Sequence, residues 1–277
     1  MRFFMDILTV GGLVLAFAMF IIAFLLEGGE IPLLLQKTAA MIVFGGTFGA
    51  VLTSFKMENL KRLLKDIKLV LFSTPSNKLD ILDRLAELGD KARRSGILSL
   101  EEEIPKQDNK IIKKGLELIA SGLDKDLIAE ALARQIEIEE KEYHTSAAML
   151  ESAGGYSPTM GIIGTVMGLV SLLNGLADMS MGELGHAIAV AFVATLYGVC
   201  FANVIYIPFG TKIKNYAKNE SEVSEMIIEG ILSIQAGENP KVMKDKLGYN
   251  LIAELQGIDV EAKEAAEKAA RRAAQGQ

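Results

Sequence analysis

Apolar residues fall along this chain in two rhythms. In four segments they run on almost without interruption: Ile7–Leu26 carries no charge, 38–55 is slightly shorter, 152–177 is uncharged throughout, and 184–211 is broken only by His186 near its start. A helix needs about 20 residues to cross a hydrocarbon core of about 30 Å, so each segment is predicted to span a membrane. Pro32 lies just ahead of the second segment, where a helix start tolerates proline. The first is read as a true span and not as a leader peptide, because its apolar run is too long and no small-residue cleavage site follows before the second.

Between the second and third segments the rhythm becomes helical and one-sided. Leu60, Leu63, Leu64, Ile67, Leu71 and Phe72 recur on one face, and Leu79, Ile81, Leu82, Leu85 and Leu88 do so again. Residues 111–119 and 127–132 predict two shorter helices, Pro75 and Pro105 interrupt the pattern, and Ser95-Gly96 and Ser121-Gly122 mark turns. Residues 56–143 are far too long for a plain connection and are expected to form a domain. The tail after Ile213 is helical with mixed charge, ending in an alanine-rich, solvated helix at 261–274. The expected fold is all-α: a first transmembrane hairpin (1–55), a helical cytoplasmic domain (56–150), a second hairpin (151–211) and a helical cytoplasmic tail (212–277).

Charge gives the spans a direction. The turns 27–32 and 178–183 hold no Lys or Arg, whereas Lys56, Lys61, Arg62, Lys65 and Lys68 follow the second span and Lys212, Lys214 and Lys218 follow the fourth. Cytoplasmic flanks are enriched in basic residues, so both termini and the large domain are expected inside. A net charge of −6 with no compensating basic run argues against a nucleic-acid partner. The single cysteine, Cys200, cannot form an internal disulfide, and two distant histidines give no metal-site spacing. No phosphate-binding loop or nucleophile elbow occurs, so an enzyme is not expected, nor a cofactor or bound metal.

The spans themselves carry the informative residues. Gly154, Gly161, Thr165 and Gly168 fall on one face of the third, and Ala187, Ala191, Thr195, Gly198 and Ala202 form a small stripe on the fourth. Such stripes let helices approach closely in lipid, and ordinary packing explains them as well as any function does. Pro158 removes the hydrogen bond to the Gly154 carbonyl, and Pro208 sits similarly in the fourth span; each is a candidate kink. No Asp, Glu, Lys or Arg lies in the middle of any span, although cation paths normally need an ionisable group at that depth. If this chain passes a cation, another subunit must supply the carboxylate.

At these residues the sequence resembles the MotA/PomA family, the larger subunit of the flagellar stator. The similarity covers the four-span order, the large loop, the charged tail and the small residues Gly45-Gly46-Thr47. Its most specific parts are Ser157-Pro158-Thr159 with the glycines after it, Thr195-Leu196-Tyr197-Gly198, Pro208, and Arg93-Arg94-Ser95-Gly96-Ile97-Leu98-Ser99-Leu100-Glu101. The resemblance implies a ring, a homopentamer, in the bacterial inner membrane around a single-span MotB/PomB-like partner whose aspartate binds the ion. Pro158, Gly161, Thr165, Gly168 and Thr195 would line the ion path, and Pro158 and Pro208 would act as gating kinks. Arg93 (or Arg94) and Glu101 would face the rotor protein FliG, coupling cation flow to motility. In this family, sodium-driven members tend to have threonine at the position of Thr165, yet that hydroxyl can equally bond its own helix, so sodium and proton both stay open. An ExbB/TolQ-like envelope energiser and a non-conducting scaffold are the alternatives; the first hairpin favours the stator.

Overall fold

The computed structural model describes residues 7–72 and 77–255, and every regular element among them is helical. The tail helix expected at 261–274 and the break expected at Pro75 lie outside the described residues. Two compact units emerge: residues 1–74 with 140–218, and 75–139 with 219–277.

In the first unit, helix α1 (Ile7–Leu26) buries none of its residues; Leu15 and Phe20 face outward, while Leu13 and Phe17 lean on the rest of the unit. The second span starts earlier in the chain than its apolar run suggested. It comprises α2 (Ile31–Leu34), a break at Leu35 and Gln36, α3 (Lys37–Ala40), a π-helical turn (Met41–Gly45) and α4 (Gly46–Ser54). Pro32 fits the first turn of α2 because its missing N–H would have no helical partner there. The break leaves backbone groups that lipid cannot satisfy. Tyr197 takes them: its hydroxyl donates to the Leu34 carbonyl and accepts the Gln36 N–H at 3.3 Å.

Helix α5 (Met57–Phe72) follows, with Leu63, Asp66 and Val70 on its buried side. Leu63 and Val70 pack with Val51, Ala147, Leu150, Phe209 and Ile213. Asp66 is fully buried but not alone: Ser146 Oγ donates to it at 2.7 Å and Arg62 Nε at 2.9 Å. Arg62 also pairs with Glu142 and lies 4.9 Å above the Tyr143 ring. Burial pushes the Asp66 carboxyl above its ordinary range, against the opposing pull of Ser146 and Arg62.

The second unit contains α6 (Lys78–Ser95), a 3-10 helix (Ile97–Lys106), α7 (Lys110–Ala120), the start of α8 (Lys125–Gly175), the end of α10 (Ile207–Gln235) and α11 (Pro240–Leu255). Asn77 and Asn109 cap α6 and α7, accepting from backbone N–H groups that helix starts leave free. The core is aliphatic: Leu85, Leu100, Leu116, Ile128, Leu132, Ile227 and Ile231 are entirely buried. Pro105 closes the 3-10 helix near its end and does not interrupt α7.

Two predicted boundaries dissolve. Residues 127–132 and the third span belong to one 51-residue helix, α8, and the tail beyond Ile213 continues α10. Between 133 and 151 the sequence is polar but holds no Gly or Pro, so nothing stops the helix; only its surroundings change. A short 3-10 turn (Leu176–Asp178) joins α8 to α9 (Met181–Phe201), which Ser180 and Glu183 cap reciprocally. A second π-helical turn, Ala202–Tyr206, links α9 to α10. Pro208 lies four residues after Val204 and cannot donate to its carbonyl, which accounts for the widened turn just before it.

Candidate functional site

The small stripes of α8 and α9 face each other. A Cβ on Gly161 would stand 2.8 Å from the Ala194 carbonyl oxygen and 3.0 Å from Thr195 Cα; one on Gly198 would meet the Ser157 carbonyl and lie 3.0 Å from Pro158 Cα. Gly168 is held equally close to Ala191, 2.8 Å from its Cβ. Within one chain, Gly161, Gly168 and Gly198 are therefore occupied in bringing two backbones into contact, which large side chains would prevent.

That approach creates a polar spot at the interface. The Thr165 and Thr195 hydroxyls lie 2.6 Å apart, with the Gly161 carbonyl 3.2 Å from the first and 3.4 Å from the second. Thr165 also reaches the Ala191 carbonyl at 3.1 Å. Thr165 thus bonds both its own helix and the neighbouring one. The result is four oxygens and only two hydroxyl protons, with no formal charge, suited to lending lone pairs to a hard cation. Pro158, half-buried, lies about two turns before Thr165 on α8, whereas Pro208 is exposed on α10. Above the threonine pair, a cavity of about 580 Å³ is lined by Gln36, Thr38, Ser171 and His186 together with Gly168 and Ala191. Sequence reasoning assigned His186 no role; its address in this cavity depends on α3 folding across it.

The charged candidates lie in the second unit. Arg93 and Arg94 end α6 and are exposed, Arg94 pairing with Asp90 at 2.9 Å. Gly96, at φ +82°, turns the chain into the 3-10 helix, a conformation that favours glycine. Glu101 and Glu102 project into solvent, while Glu103 turns inward, its side chain 11% exposed. Its carboxylate meets Lys91 Nζ at 2.7 Å, Arg84 at 2.8 Å and Lys106 Nζ at 2.9 Å. Lys91, then Lys106 and Arg84, hold that carboxyl down to about 2. Sequence reasoning missed Glu103, hidden among three adjacent glutamates, and gave Tyr197 no role beyond its place in the Thr195–Gly198 motif, because its backbone partners are more than 160 positions away.

Comparison with known proteins places the chain in a family. Residues 103–226 match the MotA/TolQ/ExbB proton channel family, and 10–96 match the motility protein A N-terminal region. The chain is 35% identical to motility protein A of Helicobacter pylori over 90% of its own length and 96% of that protein. It is 33% identical to the chemotaxis protein PomA of Vibrio alginolyticus, covering 88% of this chain and 94% of that one. The fold is similar to a chain of the flagellar MotAB stator complex from Bacillus subtilis, with a TM-score of 0.79 at 32% identity, over 86% and 93% of the two chains. The four long apolar helices and these similarities define a membrane-embedded channel-type subunit. The chain belongs to the MotA/TolQ/ExbB family and, within it, is a flagellar stator subunit; the envelope-energiser and scaffold readings are disfavoured.

Proposed function

We propose that this subunit sits in the bacterial inner membrane, termini and helical domain in the cytoplasm, as one of five copies around a single-span MotB-like partner. The observation that carries the mechanism is the Thr165–Thr195 hydroxyl pair, held at span depth by backbone contact, in spans without a central carboxylate. A bare charge at the bilayer centre costs at least ~2.5–3.5 kcal/mol even on lenient scales, so neutral oxygens alone do not make a path. The partner's aspartate supplies the charge; Thr165 and Thr195 offer oxygen as the cation passes. The cavity beside His186 supports entry from the outer end, and Pro158, inside the continuous helix α8, removes one backbone hydrogen bond at the point where that helix responds. Hydroxyl oxygens favour sodium over a proton, which needs no coordination shell. Arg93, Arg94 and Glu101 then push on FliG.

The test is cation flux into vesicles carrying the purified chain with and without its partner. Flux is expected only from the complex, and Thr165→Ala should reduce its sodium-dependent part sharply. Steady flux through the chain alone would refute the division of labour. Drive that persists without sodium and collapses with the proton gradient would make the stator proton-driven.

A further inference from the structure

The three glutamates of the 3-10 helix have different positions because its repeat is three. Residues i and i+3 eclipse one another in such a helix. In the middle of the helix Leu100 and Glu103 therefore share one edge, and both are buried; Leu98 and Glu101 share another, and both are exposed, Leu98 to 71%, before Ile104 on that edge returns to the core. Leu100 anchors the helix in the aliphatic core, with Ile104 packed partly against it. Apolar burial is non-directional, however, and leaves rotation about the helix axis loosely set. Glu103 removes that freedom. Arg84 and Lys91 belong to α6, the helix whose last turn carries Arg93 and Arg94, so the ion pairs tie one charged element to the other. Gln107 closes the arrangement, its amide donating to the Glu103 carbonyl at 2.9 Å while its oxygen accepts from Arg84 Nε at 3.3 Å.

We propose that Glu103 is a positioning residue for rotor coupling: its clamp on Arg84, Lys91 and Lys106 fixes the rotation at which Glu101 is displayed beside Arg93 and Arg94. This rests on the reading of those three residues as rotor-facing. An ion cluster around one buried carboxylate is a poor source of stability compared with a well-packed apolar residue, but it specifies geometry, because each N–H···O bond has a direction.

The experiment uses the full chain with its partner and reads single-motor torque, cation flux and the amount of complex in the membrane. Glu103→Gln should lower torque several-fold with flux and amount retained, and Glu103→Asp should restore part of it. Glu101→Lys is then measured in wild-type and Glu103→Gln backgrounds. If Glu103 sets the position of Glu101, the loss from Glu101→Lys is smaller in the second background, since a misplaced residue has less to lose. Equal fold-losses in both backgrounds, or wild-type torque in Glu103→Gln, would overturn the proposal. Should Glu103→Gln fail to accumulate, Lys91→Met with Lys106→Met loosens the same carboxylate and is judged by the same cycle. If Glu101→Lys alone leaves torque unchanged, the rotor-facing reading itself falls, and this proposal with it.

Discussion

Where α8 meets α9, Gly161 and Gly198 bring backbone against backbone; where α8 and α10 meet in the second unit, Ile128, Leu132, Ile227 and Ile231 interdigitate with Leu85 and Leu116. The difference follows from the solvent. In water, burying bulky aliphatic groups is the main driving force, so the core is made of the largest side chains that fit. In lipid the tails are as apolar as leucine, so contact comes from removing side chains altogether. The first strategy tolerates vacancies poorly, the second tolerates additions poorly.

Adding bulk to the lipid-type contact should have the largest effect. Gly198→Leu drives a side chain into the backbone of Ser157 and Pro158, which has no rotamer with which to yield. A cost above ~3 kcal/mol is expected, seen as loss of assembled protein from the membrane. Removing bulk from the water-type core comes next. Leu116→Ala should destabilise the second unit by ~2–5 kcal/mol, lowering its thermal transition in detergent while the spans still insert. Pro158→Ala separates packing from work: the complex should assemble at normal levels yet lose ion-driven swimming, because alanine restores a regular turn at Gly154. Full torque in that variant would reduce the proline to a packing feature.

Smaller effects belong to charge. Reversing Arg93 or Glu101 singly changes screened surface interactions of ~0–1 kcal/mol each, so swimming should fall in part and fall further in the double reversal, with thermal stability unchanged. Acid distinguishes one carboxylate in each unit. Glu103, held down to about 2, contributes stability that is complete above the ordinary glutamate range and drains away as pH falls towards 2. Asp66 is raised by burial, so its folded form gains on protonation, and the penalty of its charge appears only as pH rises through its pKa. Thermal unfolding of the complex against pH should therefore lose its steepest acid limb in Glu103→Gln, but keep it in Asp66→Asn.

Much of this was readable from residue order. Uninterrupted apolar runs need no neighbours to interpret, and the glycine stripes marked the face on which α8 and α9 meet. What stayed hidden depends on contacts distant in sequence or on helix type. An α-helical reading of Glu101, Glu102 and Glu103 spaces them 100° apart without saying which turns inward; the 3-10 repeat that runs from Gly96 to Pro105 sets Glu103 in line with the buried Leu100. The continuity of α8 was obscured because its burial pattern changes from one environment to the next while its backbone does not. Arg62 counted only as one of several basic residues flanking a span, since nothing local reveals that Asp66 and Glu142 take both ends of its guanidinium.

The Tyr197 hydroxyl has a consequence for degrees of freedom. By holding both sides of the break in the second span, and with its ring stacked on Phe44, it ties the first part of that span to α9. Any tilt of α9 at Thr195, two residues earlier in the chain, carries α2 and α3 with it. Helix α1, with no buried residue, joins the rest of the unit at its surface, through Phe17 against Phe201 and through the Thr9 hydroxyl, which accepts from Lys212.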